Sequence, residues 1–120
     1  MSSTLFTPYK LGPVTLRNRT IRSAAFESMG KDFGPTRQLK DYHVAVARGG
    51  VGMTTLAYAA VCRSGLSFNK QLWLRPEIVP GLREITDAVH REGAAAAIQI
   101  GHCGNMTHWT TAGQMPIGAS

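Results

Sequence analysis

GVGMTTLAYAAV, residues 50–61, and AAAAIQI, residues 94–100, are two apolar, nearly charge-free runs, and the segments around them decide the fold. Each suits a buried strand of a parallel sheet, where both faces are covered. Ahead of the first run, Thr36 reads as a helix N-cap. Leu39, Tyr42 and Val46 then recur at helical spacing, and Gly49-Gly50 closes the helix. Between the two runs, Pro80 fits the first position of a second helix. Leu82, Ile85 and Val89 form its apolar stripe, and Gly93 follows as the stop. Both helices stand where crossovers between parallel strands belong.

Further out the pattern continues. Residues 20–26, TIRSAAF, read as a short extended run ending in small side chains. Residues 8–17, PYKLGPVTLR, read as a hairpin turning at Gly12-Pro13. The stretch from Glu27 to Pro35 is polar and glycine-rich, hence a loop. Residues 62–79 form a long connection without clear periodicity, of a kind that is usually functional. Residues 101–120 read as a polar, loop-like tail. The order hairpin, β, α, β, α, β argues for an α/β fold with a parallel sheet. Three parallel strands with two helices leave open edges and an uncovered face, so the expectation is an incomplete domain.

Composition narrows the function classes. The chain has 120 residues, 43% hydrophobic and 17% charged, which is globular and not disordered. Its net charge is +6, but the 13 lysines and arginines lie singly, which argues against a nucleic-acid surface. Cys62 and Cys103 are far apart, with no CxxC, so free thiols in a reducing cytoplasm are expected over a disulfide framework or zinc site. The first residues lack a signal-peptide pattern, and no apolar run approaches the roughly 20 residues that span a bilayer. No GxGxxG follows a strand, and no GxxxxGK[ST] occurs.

In parallel α/β folds, ligands gather at the carboxyl ends of the strands. Three places qualify. Ser23-Ala24-Ala25-Phe26 offers small-residue backbone that a flat ligand can approach, or ordinary tight packing. Tyr58 is a ligand contact or a core tyrosine whose hydroxyl needs a partner. Gln99 is a carboxamide in an apolar strand, where burial without partners costs about 1–3 kcal/mol. Its in-plane donors and acceptor suit a uracil-like edge, or bond a neighbouring loop. His102, just past this strand, reads as a structural hydrogen-bonder. His43 and His90 sit on the helices, at positions that suggest partly solvated faces. No metal cluster is read.

Three blocks carry a resemblance. Leu5-Phe6-Thr7-Pro8, Leu11-Gly12 and Leu16-Arg17-Asn18-Arg19 form the first. Tyr42 with Ala47-Arg48-Gly49-Gly50-Val51-Gly52 forms the second, and Gln99-Ile100-Gly101-His102-Cys103-Gly104 the third. Together, in this order and spacing, they resemble the Old Yellow Enzyme family. The resemblance implies the N-terminal part of a (β/α)8 (TIM) barrel: the hairpin, about three strands and two helices, with the remainder of the barrel absent from residues 1–120. It implies non-covalently bound FMN, reduced by NADH or NADPH, and reduction of activated alkenes or related small molecules. Carried over by position, Ser23, Ala24, Ala25, Phe26, Tyr58 and Gln99 border the flavin, Gln99 at its pyrimidine edge. Phe26 departs from the threonine or cysteine of many relatives, Ala24-Ala25 from a proline-containing pair, and Asn105 from an arginine. The paired substrate-binding histidines, the proton donor and the phosphate loops belong to later strands, so no catalytic residue is assigned here. The alternative reading is a non-catalytic truncated product or a self-associating fragment forming a homo-oligomer.

Overall fold

A computed structural model describes residues 3–119. The chain opens with a single 3-10 turn, Thr4–Phe6, followed by an antiparallel hairpin of β1 (Tyr9–Leu11) and β2 (Val14–Leu16). Gly12 turns it with φ of 56°, a left-handed value that glycine takes without strain. A four-stranded parallel sheet follows, made of β3 (Ile21–Arg22), β4 (Met53–Ala60), β5 (Leu72–Trp73) and β6 (Ala95–Gly101). Helix α1 (Arg37–Arg48) connects β3 to β4, helix α2 (Val79–Arg91) connects β5 to β6, and a short α3 (Trp109–Ala112) lies in the tail.

β4 is the centre of the sheet. β6 pairs along one edge of it, from Met53↔Ala95 to Ala60↔Gly101. β3 and β5 share the other edge. β3 pairs at Met53 and Thr54, and β5 at Ala59 and Ala60. Both helices pack on one face. Leu39 and Ala47 of α1 and Ile85 and Val89 of α2 meet Leu56 and Ala59 of β4 in a buried core, with Ala96 and Ile98 of β6 against it. Because side chains alternate along a strand, Ala95, Ala97 and Gln99 point to the other face. Their partners Ile21, Met53 and Thr55 share it, and none of these six residues is buried.

The expected helix boundaries hold to within one residue, α2 starting at Val79 with Pro80 second. The Thr36 side chain accepts from the Leu39 amide at 3.1 Å, and Gly49 caps α1 at its other end. Gly93, at φ of 84°, ends the turn after α2. Four expectations need correction. The buried stripe of α1 is Leu39, His43 and Ala47, not Leu39, Tyr42 and Val46. Tyr42 stays at the surface, where the Arg22 guanidinium lies 5.0 Å from its ring centre. Residues 94–100 do not form a strand covered on both faces: Gln99 and Ile100 are exposed, because β6 is an edge strand whose carboxyl end is left open. The 62–79 connection is not structureless. It holds two 3-10 turns, Arg63–Gly65 and Pro76–Ile78, and β5, whose two residues are too few to show a period. The tail likewise contains α3.

Arg17 ties these pieces together. Its guanidinium donates to the carbonyls of Ala47 (2.5 Å), Val51 (2.9 Å) and Glu92 (2.7 Å). The end of α1, the entry to β4 and the end of α2 thus meet on one cation, where helix C-termini favour positive charge. Asn18 beside it donates to the Gly50 carbonyl and accepts from the Thr20 amide. Gly52 passes so close that a Cβ there would lie 2.5 Å from the Asn18 carbonyl oxygen.

Candidate functional site

The carboxyl ends of β4 and β6 open into a cleft of about 390 Å³. Tyr58, Ser67, Gln99, His102 and Met106 line it. The pairing that builds it is irregular. Leu56 pairs with Ile98 and Ala59 with Ile100, so Ala57 and Tyr58 together face Gln99 alone. Such a bulge bends its strand and re-aims its side chains. Here it turns Tyr58 towards the cleft beside Gln99. The Tyr58 hydroxyl is held by the Ser67 hydroxyl. The Gln99 side chain makes no hydrogen bond among the described residues, and it is exposed and not buried as the sequence suggested. Its carboxamide needs no internal partner because it stands on the open face.

Ser23, Ala24, Ala25 and Phe26 follow β3 directly. Ser23 and Ala25 are exposed, and Ala24 and Phe26 half-buried. The Phe26 ring stacks on Phe68 at 4.6 Å, with 17° between planes, and meets Tyr58 edge-on at 6.1 Å. The structure therefore joins Phe26 and Tyr58 through one aromatic cluster. Tyr58 and Gln99 meet across the bulge.

A second cluster lies behind these residues and was missed in the sequence. The Glu27 side chain is 2% exposed. It accepts from Arg22 Nη1 at 3.1 Å, from the Ala57 amide at 3.2 Å and from His43 Nε2 at 2.8 Å. The other ring nitrogen of His43 lies 2.7 Å from Thr54 Oγ1, and His43 is fully buried, contrary to the solvated position expected for it. Arg22 also donates to the carbonyls of Thr55 (2.6 Å) and Ala25 (3.1 Å). The edge of β4 between β3 and β5 is thus bonded by side chains: Arg22 serves the Thr55 carbonyl and Glu27 the Ala57 amide. The repeat 39, 43, 47 at helical spacing was the signal that could have placed His43 inside.

His102 lies at the rim. Its Nδ1 accepts from the Gly104 amide at 2.9 Å, so Nε2 carries the proton towards Ser64 Oγ at 3.2 Å. That is the structural role expected of it. Cys62 and Cys103 are free thiols. No group of three metal-ligating side chains occurs among the described residues, and no described helix is long and apolar enough to cross a membrane.

Residues 4–116 match the NADH:flavin oxidoreductase / NADH oxidase family. The chain belongs to that family. This is the Old Yellow Enzyme family of the sequence resemblance, and its members carry flavin and nicotinamide chemistry. A 4,4'-dithiodibutanoate disulfide reductase of Rhodococcus erythropolis is 48% identical over 100 residues, 83% of this chain and 25% of that protein. An NADPH dehydrogenase of Listeria welshimeri is 38% identical over 106 residues, 85% of this chain and 31% of that protein. The fold superposes on morphinone reductase in complex with tetrahydroNAD with a TM-score of 0.84 and 25% identity, over 96% of this chain and 32% of the other. The chain thus spans 25–32% of the length of these relatives.

Proposed function

We propose that residues 1–120 form the first arc of a (β/α)8 barrel and one side of its FMN ring site, in an oxidoreductase that draws hydride from NADH or NADPH. Gln99 carries this reading. Its unpartnered carboxamide stands on the open face of the sheet, where a closed barrel would have its interior, at the carboxyl end where barrels hold their ligands. The fit to a flavin ring is chemical. A carboxamide presents donors and an acceptor in one plane, as does the pyrimidine edge. Ser23, Ala24 and Ala25 let a flat ring approach the backbone, and the half-buried Phe26 and Tyr58 wall the site and keep water from it. When bound, FMN supplies the electron chemistry, and the protein orients it. The substrate class is activated alkenes or related small molecules. The free thiols suit a reducing, cytoplasmic setting.

The phosphate loops and the groups that meet the substrate belong to later strands of such a barrel. Residues 1–120 alone are therefore expected to be inactive and to retain little flavin. The test is to saturate the full-length polypeptide with FMN, remove free flavin and read the yellow absorbance that stays, for the parent and for Gln99→Leu. The expected result is retention by the parent and a loss of at least about tenfold in affinity for the variant, as when a buried edge loses its hydrogen bonds. A parent that retains no flavin overturns the proposal.

A second reading is self-association of residues 1–120. The open face, which bears Ile21 at 47% exposure, and the unpaired outer edge of β6 favour it. Light scattering on the 120-residue chain separates a monomer from an assembly.

A further inference from the structure

We propose that Glu27 is a positioning residue for the flavin ring, acting through the two walls it fixes and touching neither ring nor substrate. This rests on the flavin reading above. The segment Ser23–Phe26 lies past the last β3 pair, and the β4 bulge interrupts the β6 ladder just where the opposite edge of β4 is unpaired, after β3 ends at Thr54 and before β5 begins at Ala59. Glu27 holds both. Through Arg22 it fixes the first: the same guanidinium that reaches Glu27 also holds the Ala25 carbonyl at 3.1 Å. Through the Ala57 amide, at 3.2 Å from each carboxylate oxygen, it fixes the bulge that faces Gln99 and aims Tyr58. His43 Nε2, at 2.8 Å, anchors the carboxylate to α1 from behind. Arg22 and Glu27 are the charged side chains of this cluster, 16% and 2% exposed, and they bring opposite charges into it together. A buried pair of this kind is weak evidence for stability in itself, because desolvation opposes the attraction. It fixes geometry: one carboxylate sets where the ring's backbone wall stands relative to the Tyr58–Gln99 wall.

The test compares Glu27→Gln with Thr54→Val in the full-length polypeptide. The Thr54 side chain is fully buried, bonds the helix side of the network at His43 Nδ1, and does not line the cleft. FMN is titrated into each, with the dissociation constant read from flavin fluorescence, the visible bands of the bound ring recorded, and thermal melting followed separately. Glu27→Gln is expected to weaken FMN about tenfold or more, the usual scale when a group that orients contact residues is changed, and to shift the visible bands. Thr54→Val is expected to melt lower while keeping the parent's affinity and bands. Should Glu27→Gln not fold, Arg22→Lys takes its place: it keeps the charge beside Glu27 but releases a carbonyl, and is expected to act in the same direction. Parent-like affinity and bands in the Glu27 or Arg22 variant overturn the inference. So does a Thr54→Val variant that loses affinity to the same degree. A parent that binds no FMN overturns the flavin reading and this inference with it, whereas parent-like binding in the variants overturns this inference alone.

Discussion

Replacing Arg17 by Met isolates what its guanidinium does, because the methionine keeps an apolar stem of similar reach without charge or donors. Three carbonyls lose the guanidinium: those of Ala47, Val51 and Glu92, at 2.5, 2.9 and 2.7 Å, of which Ala47 keeps the Gly50 amide at 3.0 Å. Counted per carbonyl, with the two bonds to Val51 taken as one, the loss in this half-buried setting is about 1 kcal/mol net each, or roughly 3 kcal/mol together. Loss of the cation from two helix C-termini adds about 0.3–1 kcal/mol at each, part of it already counted in the bonds. The expected loss is therefore about 3–4 kcal/mol. That is a large share of the ~5–15 kcal/mol that holds an ordinary domain together. In urea, with a slope of about 1.5–2 kcal/mol per molar, the midpoint falls by roughly 2 M. Arg17→Lys keeps the charge but reaches only one or two of the carbonyls, and about half the loss is expected. Far-ultraviolet circular dichroism during urea unfolding measures both. A methionine variant within 1 kcal/mol of the parent, or a lysine variant equal to arginine, would refute the three-way clamp.

Other outcomes follow from single observations. Gly52→Ala places a Cβ 2.5 Å from the Asn18 carbonyl oxygen and 3.0 Å from that of Thr20, both backbone atoms, so a melting experiment should show a loss of about 1–3 kcal/mol. Ile85→Ala empties a core site that is 1% exposed and should cost about 2–5 kcal/mol by the same measurement. Gln99→Leu changes an exposed side chain with no internal partner, so stability should stay within about 0.5 kcal/mol of the parent while flavin retention falls. A thiol reagent should modify exposed Cys62 before half-buried Cys103, with mass spectrometry of the peptides giving the order.

The parts of this fold that were legible in the sequence are those that local chemistry specifies. Thr36 caps α1, Gly93 stops α2, and the uncharged run after Gly52 is the central strand, because capping and burial leave marks within a few residues. The inner face of α1 was misread for a physical reason. Tyr42 is the larger apolar side chain, but it is satisfied at the surface by Arg22, while His43 is buried because Glu27 and Thr54, distant in sequence, meet its two nitrogens. A histidine's burial depends on partners that no periodicity shows. β5 was invisible because two residues carry no alternation, and its pairing is decided by β4. Of the candidate site, the six residues named from the sequence do lie at strand ends, and Tyr58 and Gln99 line one cleft. The bulge that brings those two together follows from a register shift, which is a property of two strands at once.

The position of β4, with neighbours on both edges, has a kinetic consequence. Amide hydrogens exchange with solvent only when their bonds open, and the free energy of opening varies from near zero at margins to the global value at the centre. Opening β3, β5 or β6 needs the release of one edge each, whereas β4 is released only when the partners on both sides have gone. In deuterium, the amides of Met53 to Leu56 should therefore be the last to fade. Those of β6 that point away from β4 should vanish early.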